Sequence, residues 1–296
     1  MVENKTIGAR VASVLNCTLL VIIALLCVLP VLNVLAISFS SSSAVSAGKV
    51  LFWPVDFTLN SYEFALTDPQ FFRSLGISVL RALFGVGINM IMVVITAYPL
   101  AHDPRKLHGR NLYMGYFVLT MLIGGGLIPT YIVVSKAGLI DSIWSLILPT
   151  ALPVYYMVIM MNFMRGLPKE LEEAALIDGA SPIQTLTHVI LPCLKPALAT
   201  IALFCLVNHW NDWFSGLIYM DSSKHYPLMT YLQTQIVKFD EVLMHSSGEY
   251  MELIVKMNTR TGRASQLFLA SLPLLLIYPF LQKYFTKGLI LGSVKE

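Results

Sequence analysis

Charge is scarce in this chain, and so are the residue patterns that build active sites. Only 12% of its 296 residues are Asp, Glu, Lys or Arg, while 56% are apolar, and the mean hydropathy is +0.70. Soluble domains carry about 25% charged and about 45–50% apolar residues, so a water-soluble globular fold is excluded. A basic excess is missing too. Twenty Lys and Arg against 17 Asp and Glu leave +3, too even a balance for a nucleic-acid binder. The four cysteines (Cys17, Cys27, Cys193 and Cys205) form no C-x-x-C pair, so neither a zinc site nor a disulfide framework is indicated. No G-x-x-x-x-G-K-[ST] occurs, and Gly48-Lys49-Val50 lacks both the first glycine and the hydroxyl, so the chain has no P-loop for ATP. H-E-x-x-H and G-x-S-x-G are absent as well, which argues against an intramembrane hydrolase. No internal repeat and no low-complexity tract stands out.

What fills the chain instead is long apolar runs. Six windows, 11–38, 74–101, 112–134, 143–164, 196–220 and 264–282, approach or exceed the ~20 apolar residues that carry a helix across a bilayer. Four of them hold no charged residue; Arg81 and Asp212 are the exceptions. The alternating segments of a membrane β-barrel are missing, which leaves helices as the spanning solution. The expected fold is all-α, a polytopic membrane protein of six transmembrane helices in a single transmembrane domain, 1–296. Val45-Ser46-Ala47 resembles a signal cleavage site, but the run before it exceeds a signal core of about 7–15 residues, so it reads as a membrane helix.

Short connections set the orientation. The 102–111 link holds Arg105, Lys106 and Arg110; the 165–195 link holds Arg165, Lys169 and Lys195; the C-terminal tail holds Lys283, Lys287 and Lys295. The 135–142 link on the other side carries Lys136 alone, and the longer segments 39–73 and 221–263 weigh little in the positive-inside rule. Both termini are therefore expected in the cytoplasm, with 221–263 an extracytoplasmic loop.

Between the fourth and fifth windows, residues 165–193 have too much local order for a connector. Pro168 suits a first helical turn, and Glu170, Glu172 and Glu173 complement the positive end of that helix. Gly179 offers a left-handed stop. Ser181 then restarts a helix as N-cap, with Pro182 at its first position and Gln184 completing a capping box. Two short helices joined at a glycine make a compact knob, whose small Ala174, Ala175 and Gly179 admit a close partner.

Glu173-Ala174-Ala175, Gly179 and Val189-Ile190-Leu191-Pro192 at these spacings resemble the EAA loop of ABC importer permeases, with Val189 in place of the usual Ile. The segments Thr96-Ala97-Tyr98-Pro99-Leu100, Gly125-Gly126-Leu127-Ile128-Pro129-Thr130-Tyr131, Trp210-Asn211-Asp212-Trp213 and Tyr278-Pro279-Phe280-Leu281-Gln282-Lys283-Tyr284-Phe285, with the tail Gly292-Ser293-Val294-Lys295, are similar to the LplC/YtcP branch of MalG-like permeases for oligosaccharides and polysaccharide fragments. The resemblance runs from about residue 10 to the C-terminus. It implies a MetI-like fold in the cell membrane. It also implies a second, homologous permease subunit as partner, two ATP-binding cassette subunits that bind ATP and Mg in place of this chain, and an extracytoplasmic solute-binding protein that delivers an oligosaccharide. Glu173, Ala174, Ala175, Asp178, Gly179, Ala180, Leu191 and Pro192 are then the ATPase-coupling residues.

Asn208, Trp210, Asn211, Asp212 and Trp213 put polar groups and aromatic rings together in the fifth window. Intramembrane charge faces the bundle interior or water, so these residues read as a sugar pathway; Trp also marks membrane interfaces, so an interfacial belt is the other reading. His209 and Asp212, three apart, are compatible with a proton relay or ligand pair, or with an ordinary hydrogen-bonded pair. Gly124-Gly125-Gly126 and Pro129 are either a hinge or close-packing small residues, with packing preferred. Arg81 is expected to extend its charge outward to water. The alternative function is an ion-coupled secondary sugar transporter, for which inverted repeats with paired broken helices would be expected, and no such pairing stands out.

Overall fold

The computed structural model describes residues 7–103, 107–235 and 259–293, and among them every regular element is helical. In chain order these are α1 (Ile7–Ser38), α2 (Ser42–Ser46), α3 (Asn60–Thr67), α4 (Pro69–Ala101), α5 (Arg110–Leu122), α6 (Leu127–Lys136), a 3₁₀ stretch (Ile143–Thr150), α7 (Val154–Arg165), α8 (Glu170–Ile177), α9 (Pro182–Cys193), α10 (Lys195–Asn211), α11 (Phe214–Tyr219), a 3₁₀ turn (Ser223–His225), helical residues 228–235 and α12 (Thr259–Ser293). Much of the expected loop 221–263, namely 236–258, lies outside the described residues, as do Arg105, Lys106 and Lys295.

Among the described residues two helices are long and apolar enough to cross a membrane singly, Val11–Ser38 and Pro69–Ala101. Three other apolar windows are not straight rods. The chain turns 113° between α5 and α6, 49° between the 3₁₀ stretch and α7, and 85° between α9 and α10. The sixth window falls on α12, whose side chains beyond residue 279 are not described. Counting each bent pair as one span gives up to five spans among the described residues, against the six expected.

The first bend corrects the sequence reading of the triple glycine. A Cβ on Gly124, Gly125 or Gly126 would meet nothing within 4 Å, so these residues pack no neighbouring helix among the described residues. Gly126 takes φ +81, a conformation that costs L side chains energy, and the segment serves as a corner.

The chain divides into two compact units, with boundaries at Pro69/Gln70, Thr234/Gln235 and Ser271/Leu272. In the first, Phe39 stacks on Phe57 at 5.4 Å and lies 4.8 Å from Tyr62, while the Ser38 and Tyr62 hydroxyls meet at 2.7 Å. Helix α1 leaves its apolar side chains exposed along its length; Leu15 is 64% and Leu26 61% accessible, the surface a lipid-facing helix presents.

The second unit holds the larger core. Met157, Met160, Met161 and Met164 recur at the spacing of one helical face, and all four are buried against Val93, Val94, Ala97 and Leu100 of α4. Along α4 the buried positions Ser74, Ser78, Arg81, Gly85, Asn89, Val93 and Ala97 trace one stripe, most of it small or polar. Lipid tails supply no hydrophobic drive between helices, so small residues that allow close approach and polar groups that bond across carry the association. Gly216 shows how close: a Cβ there would sit 2.1 Å from Thr230 Oγ1 and 2.9 Å from Pro227 Cδ.

Gly216→Ala should destabilise the purified protein by about 1–3 kcal/mol through overpacking. Gly87→Ala, where a Cβ meets nothing within 4 Å, should be neutral or stabilising by up to about 1 kcal/mol. Thermal unfolding in detergent checks both, and equal midpoints for the two variants would remove the packing argument.

Candidate functional site

Each helix break frees backbone groups, and in apolar surroundings those groups need partners. The second unit supplies them from the polar stripe of α4. Asn89 Nδ2 donates to the carbonyls of Thr150 at 2.7 Å and Ala151 at 2.9 Å, at the break ahead of α7. With its amide hydrogens so committed, the Asn89 oxygen accepts from His209 Nε2 at 2.8 Å, which fixes the proton on that ring nitrogen. Gly85 makes room for the imidazole: a Cβ there would lie 2.5 Å from Nε2.

Arg81 treats the break after α10 in the same way. Its Nη1 donates to the Asp212 carbonyl at 2.9 Å, and its Nη2 to the Asp212 carboxylate and, at 3.4 Å, to the Leu146 carbonyl. Asp212 Oδ1 in turn accepts from the Ser215 amide at 3.1 Å, capping the short helix α11. Thr230 Oγ1 donates to the Trp213 carbonyl at 2.8 Å. Arg81 is only 2% exposed, which overturns the expectation that it reaches outward to water. His209 and Asp212 do not pair with each other either; they bond Asn89 and Arg81 respectively.

A cavity of about 610 Å³ opens beside this network. Arg81, Asn89, His209 and Asp212 line it, together with Tyr155, Tyr156 and Asn208. Asn208 Nδ2 donates to the Tyr156 hydroxyl at 3.0 Å, and the Tyr156 ring stacks on Phe204 at 5.8 Å. Of the residues proposed from sequence for the pathway, Asn208 and Asp212 face this cavity. Asn211 and Trp213 are exposed elsewhere on the chain, and Trp213 meets Phe214 edge-on at 5.6 Å. Trp210 is buried at 4% exposure, so within this chain its ring offers a face neither to lipid nor to a lumen. Arg81, Asn89 and the Tyr155–Tyr156 pair were missed in sequence. The signal available for the first two was the four-residue rhythm that places both on the buried stripe of α4.

The 165–193 segment forms two helices at a glycine corner, as its sequence requires. Gly179 has φ +76. The Ala180 amide donates to the Ala175 carbonyl at 2.9 Å and the Gly179 amide to Leu176 at 3.1 Å, the paired bonds of a Schellman stop. The capping box is complete: the Ser181 amide donates to Gln184 Oε1 at 2.8 Å, and the Gln184 amide to Ser181 Oγ at 3.4 Å. A π-type turn over Thr185–Ile190, not foreseen from sequence, follows.

Helix α8 packs on that turn, and Ala175 is buried there. Its small side chain thus serves this chain's own packing and not the approach of a partner. Glu173, Ala174, Asp178, Gly179 and Pro192 are exposed, while Ala180 and Leu191 are half-buried. The apolar groups left outward are Leu176 at 73%, Ile177 at 86% and Ile183 at 74%. His102 Nε2 lies 3.2 Å from the Glu172 carboxylate, tying the end of α4 to α8. Arg110 Nε and Arg165 Nη2 both donate to the Leu100 carbonyl, at 2.9 and 3.1 Å, and so cap α4 with cations as its dipole favours.

On the 135–142 link, Asp141 adopts φ +58 and accepts from the amides of Asp221 at 3.2 Å and Ser222 at 3.4 Å. His225 Nδ1 is 2.9 Å from its carboxylate, and that hydrogen bond chiefly holds the Asp141 pKa below its ordinary value.

The family described as "Binding-protein-dependent transport system inner membrane component" matches residues 7–291. The chain is 38% identical over 292 residues to Protein LplC of Bacillus subtilis (strain 168), covering 99% of this chain and 97% of that one. It is 37% identical over 281 residues to the polygalacturonan/rhamnogalacturonan transport system permease protein YtcP of the same organism, covering 93% and 95%. Among solved structures it resembles a chain of a bacterial ABC transporter involved in the import of the acidic polysaccharide alginate. That likeness has a TM-score of 0.84 at 30% identity, over 95% of this chain and 98% of the other.

Two outcomes follow from the geometry. Asp212→Leu should cost about 3–5 kcal/mol by leaving the buried Arg81 charge without its partner, Arg81→Met should cost less because Asp212 is only half-buried, and the double variant should cost less than Asp212→Leu alone; a double-mutant cycle on detergent-solubilised protein reads this, and additive losses would deny the pairing. Asp141 binds its proton less readily folded than unfolded, so its contribution is complete above the unfolded value of about 3.9 and is lost as pH falls through the folded value. The stability advantage of wild type over Asp141→Asn should therefore shrink on acidification below about pH 4; a constant advantage would contradict it.

Proposed function

The chain belongs to the family of binding-protein-dependent transport system inner membrane components, and on that premise we propose how it works as a permease subunit of a carbohydrate ABC importer. The family is one of transport proteins and not of enzymes. The relatives with the longest matches include a permease named for polygalacturonan and rhamnogalacturonan transport, which supports an oligosaccharide or polysaccharide fragment as cargo. In this reading one permease domain forms half of the translocation pathway, with a second permease forming the other half. Two ATPase subunits bind ATP and Mg, and a solute-binding protein hands over the sugar on the outer face. The termini and the 165–193 segment lie on the cytoplasmic side, where short basic links place them.

The observation that carries the coupling role is the α8–Gly179–α9 corner. Its turn is fixed by internal hydrogen bonds, and Leu176, Ile177 and Ile183 remain outward among the described residues. A rigid knob with an apolar tip suits insertion into a groove of the ATPase, so that nucleotide-driven closure moves the knob as a body. The His102–Glu172 contact links that motion to α4, which carries the polar stripe beside the cavity.

Uptake into vesicles tests this reading, since it should require ATP and survive collapse of the ion gradients; uptake driven by a gradient without ATP would favour the ion-coupled alternative. Ile177→Asp should lower ATPase co-purification about tenfold, equivalent to about 1.4 kcal/mol, with membrane insertion unchanged. Gly179→Trp should also stop transport, although its side chain meets open space within this chain. Normal uptake with full ATPase recovery in both variants would refute the coupling role.

A further inference from the structure

We propose that the cavity beside the Arg81–Asp212 pair is a saccharide subsite that accepts uncharged sugar units and disfavours uronates, an inference that rests on the transport reading above. Three features lead there. The volume, about 610 Å³, lies within the ~300–1,000 Å³ typical of small-molecule sites. Its lining is mixed in the way a sugar needs. The Tyr155 ring, 61% exposed, with Pro149, Leu152 and Pro153 offers apolar faces for C–H groups, while Asn208, Thr120 and Asp212 offer bonds to hydroxyls.

Charge decides the sugar class. One cation and one anion line the cavity, and they are bonded to each other. The two are not equally placed, because the Arg81 side chain is 2% exposed and that of Asp212 is 29%. Arg81 spends Nη1 and Nη2 on Asp212 and Leu146, and its Nε is buried without a partner. The group a ligand meets is therefore the carboxylate, which only accepts. Sugar hydroxyls can donate to it. A uronate brings a second carboxylate to a site where, among the described residues, no cation is left to receive it, and like charges brought together there repel. The chain thus has relatives named for acidic glycans but builds a subsite of the opposite preference.

Saturation-transfer NMR on the detergent-solubilised importer, purified without its binding protein, tests the proposal with two probes of equal length, α-1,4-linked galactotriose and trigalacturonate. They differ only in CH₂OH against carboxylate. Galactotriose should bind the wild type at least about tenfold more tightly, and Asp212→Asn should narrow that gap about tenfold by improving trigalacturonate binding. Because Asp212→Asn removes the charge partner of Arg81, the double variant Arg81→Met/Asp212→Leu serves as a second route, and it too should narrow the gap. Asn208→Asp, which adds an anion away from the buried pair, should widen it. Equal or tighter binding of trigalacturonate by wild type, a gap unchanged in all three variants, or binding of neither probe would overturn the subsite. ATP-driven uptake measured on the same preparation keeps the readings apart: if it persists while the gap is absent, the subsite fails alone, and if uptake proves independent of ATP, the transport reading fails.

Discussion

The second unit depends on one constraint: backbone groups freed where a helix breaks inside apolar surroundings must be hydrogen-bonded by the protein itself. Breaks occur ahead of α7 and after α10. At the first, Asn89 supplies both amide hydrogens to consecutive carbonyls. At the second, Arg81 takes the Asp212 carbonyl, while Asp212 and Thr230 take the groups that follow. Each repair group is polar and therefore expensive in a membrane unless paired. The network of Arg81, Asp212, Asn89 and His209 is what pairing them produces.

That repair work has a by-product. Helices held apart at their breaks leave room, and the room is lined by the groups that made the breaks tolerable. Asp212 caps α11 and also faces the cavity; Asn89 bonds two carbonyls and also stands in its wall. The residues beside which a sugar would pass are thus held in place by structural duties of their own, a means of rigidifying a binding surface. The cost is that few of them can be changed without disturbing the fold. A substitution at Arg81 or Asp212 reports stability and transport together, and only paired substitutions or a binding readout separate the two.

The second mechanical element rests on local chemistry. The α8–Gly179–α9 corner is closed by bonds between residues no more than five positions apart, so its shape depends little on the rest of the molecule. The contact between His102 and Glu172 then fastens it to the end of α4. Burial of Ala175 and exposure of Leu176, Ile177 and Ile183 follow from the helical phase of α8 and from the position of the turn that covers it.

The sequence by itself determined what depends on composition and near neighbours. An all-helical membrane chain followed from scarce charge and long apolar runs, and the family from the spacing of Glu173 through Pro192. The Gly179 corner and the Ser181–Gln184 capping box were also legible, because every bond in them is local. The tertiary structure alone decided where apolar runs bend, since a run of apolar residues has the same composition straight or broken at 113°. It also decided that Arg81 is buried. From the sequence, a cation near the end of an apolar window has an inexpensive route to water, and only the Asp212 carboxylate, 131 positions away in the chain, makes burial tolerable. His209 was paired on paper with Asp212 by spacing, yet bonds Asn89 across 120 positions. Long-range partners of polar groups leave no local pattern, which is why the elements could be read from the sequence and the cavity between them could not.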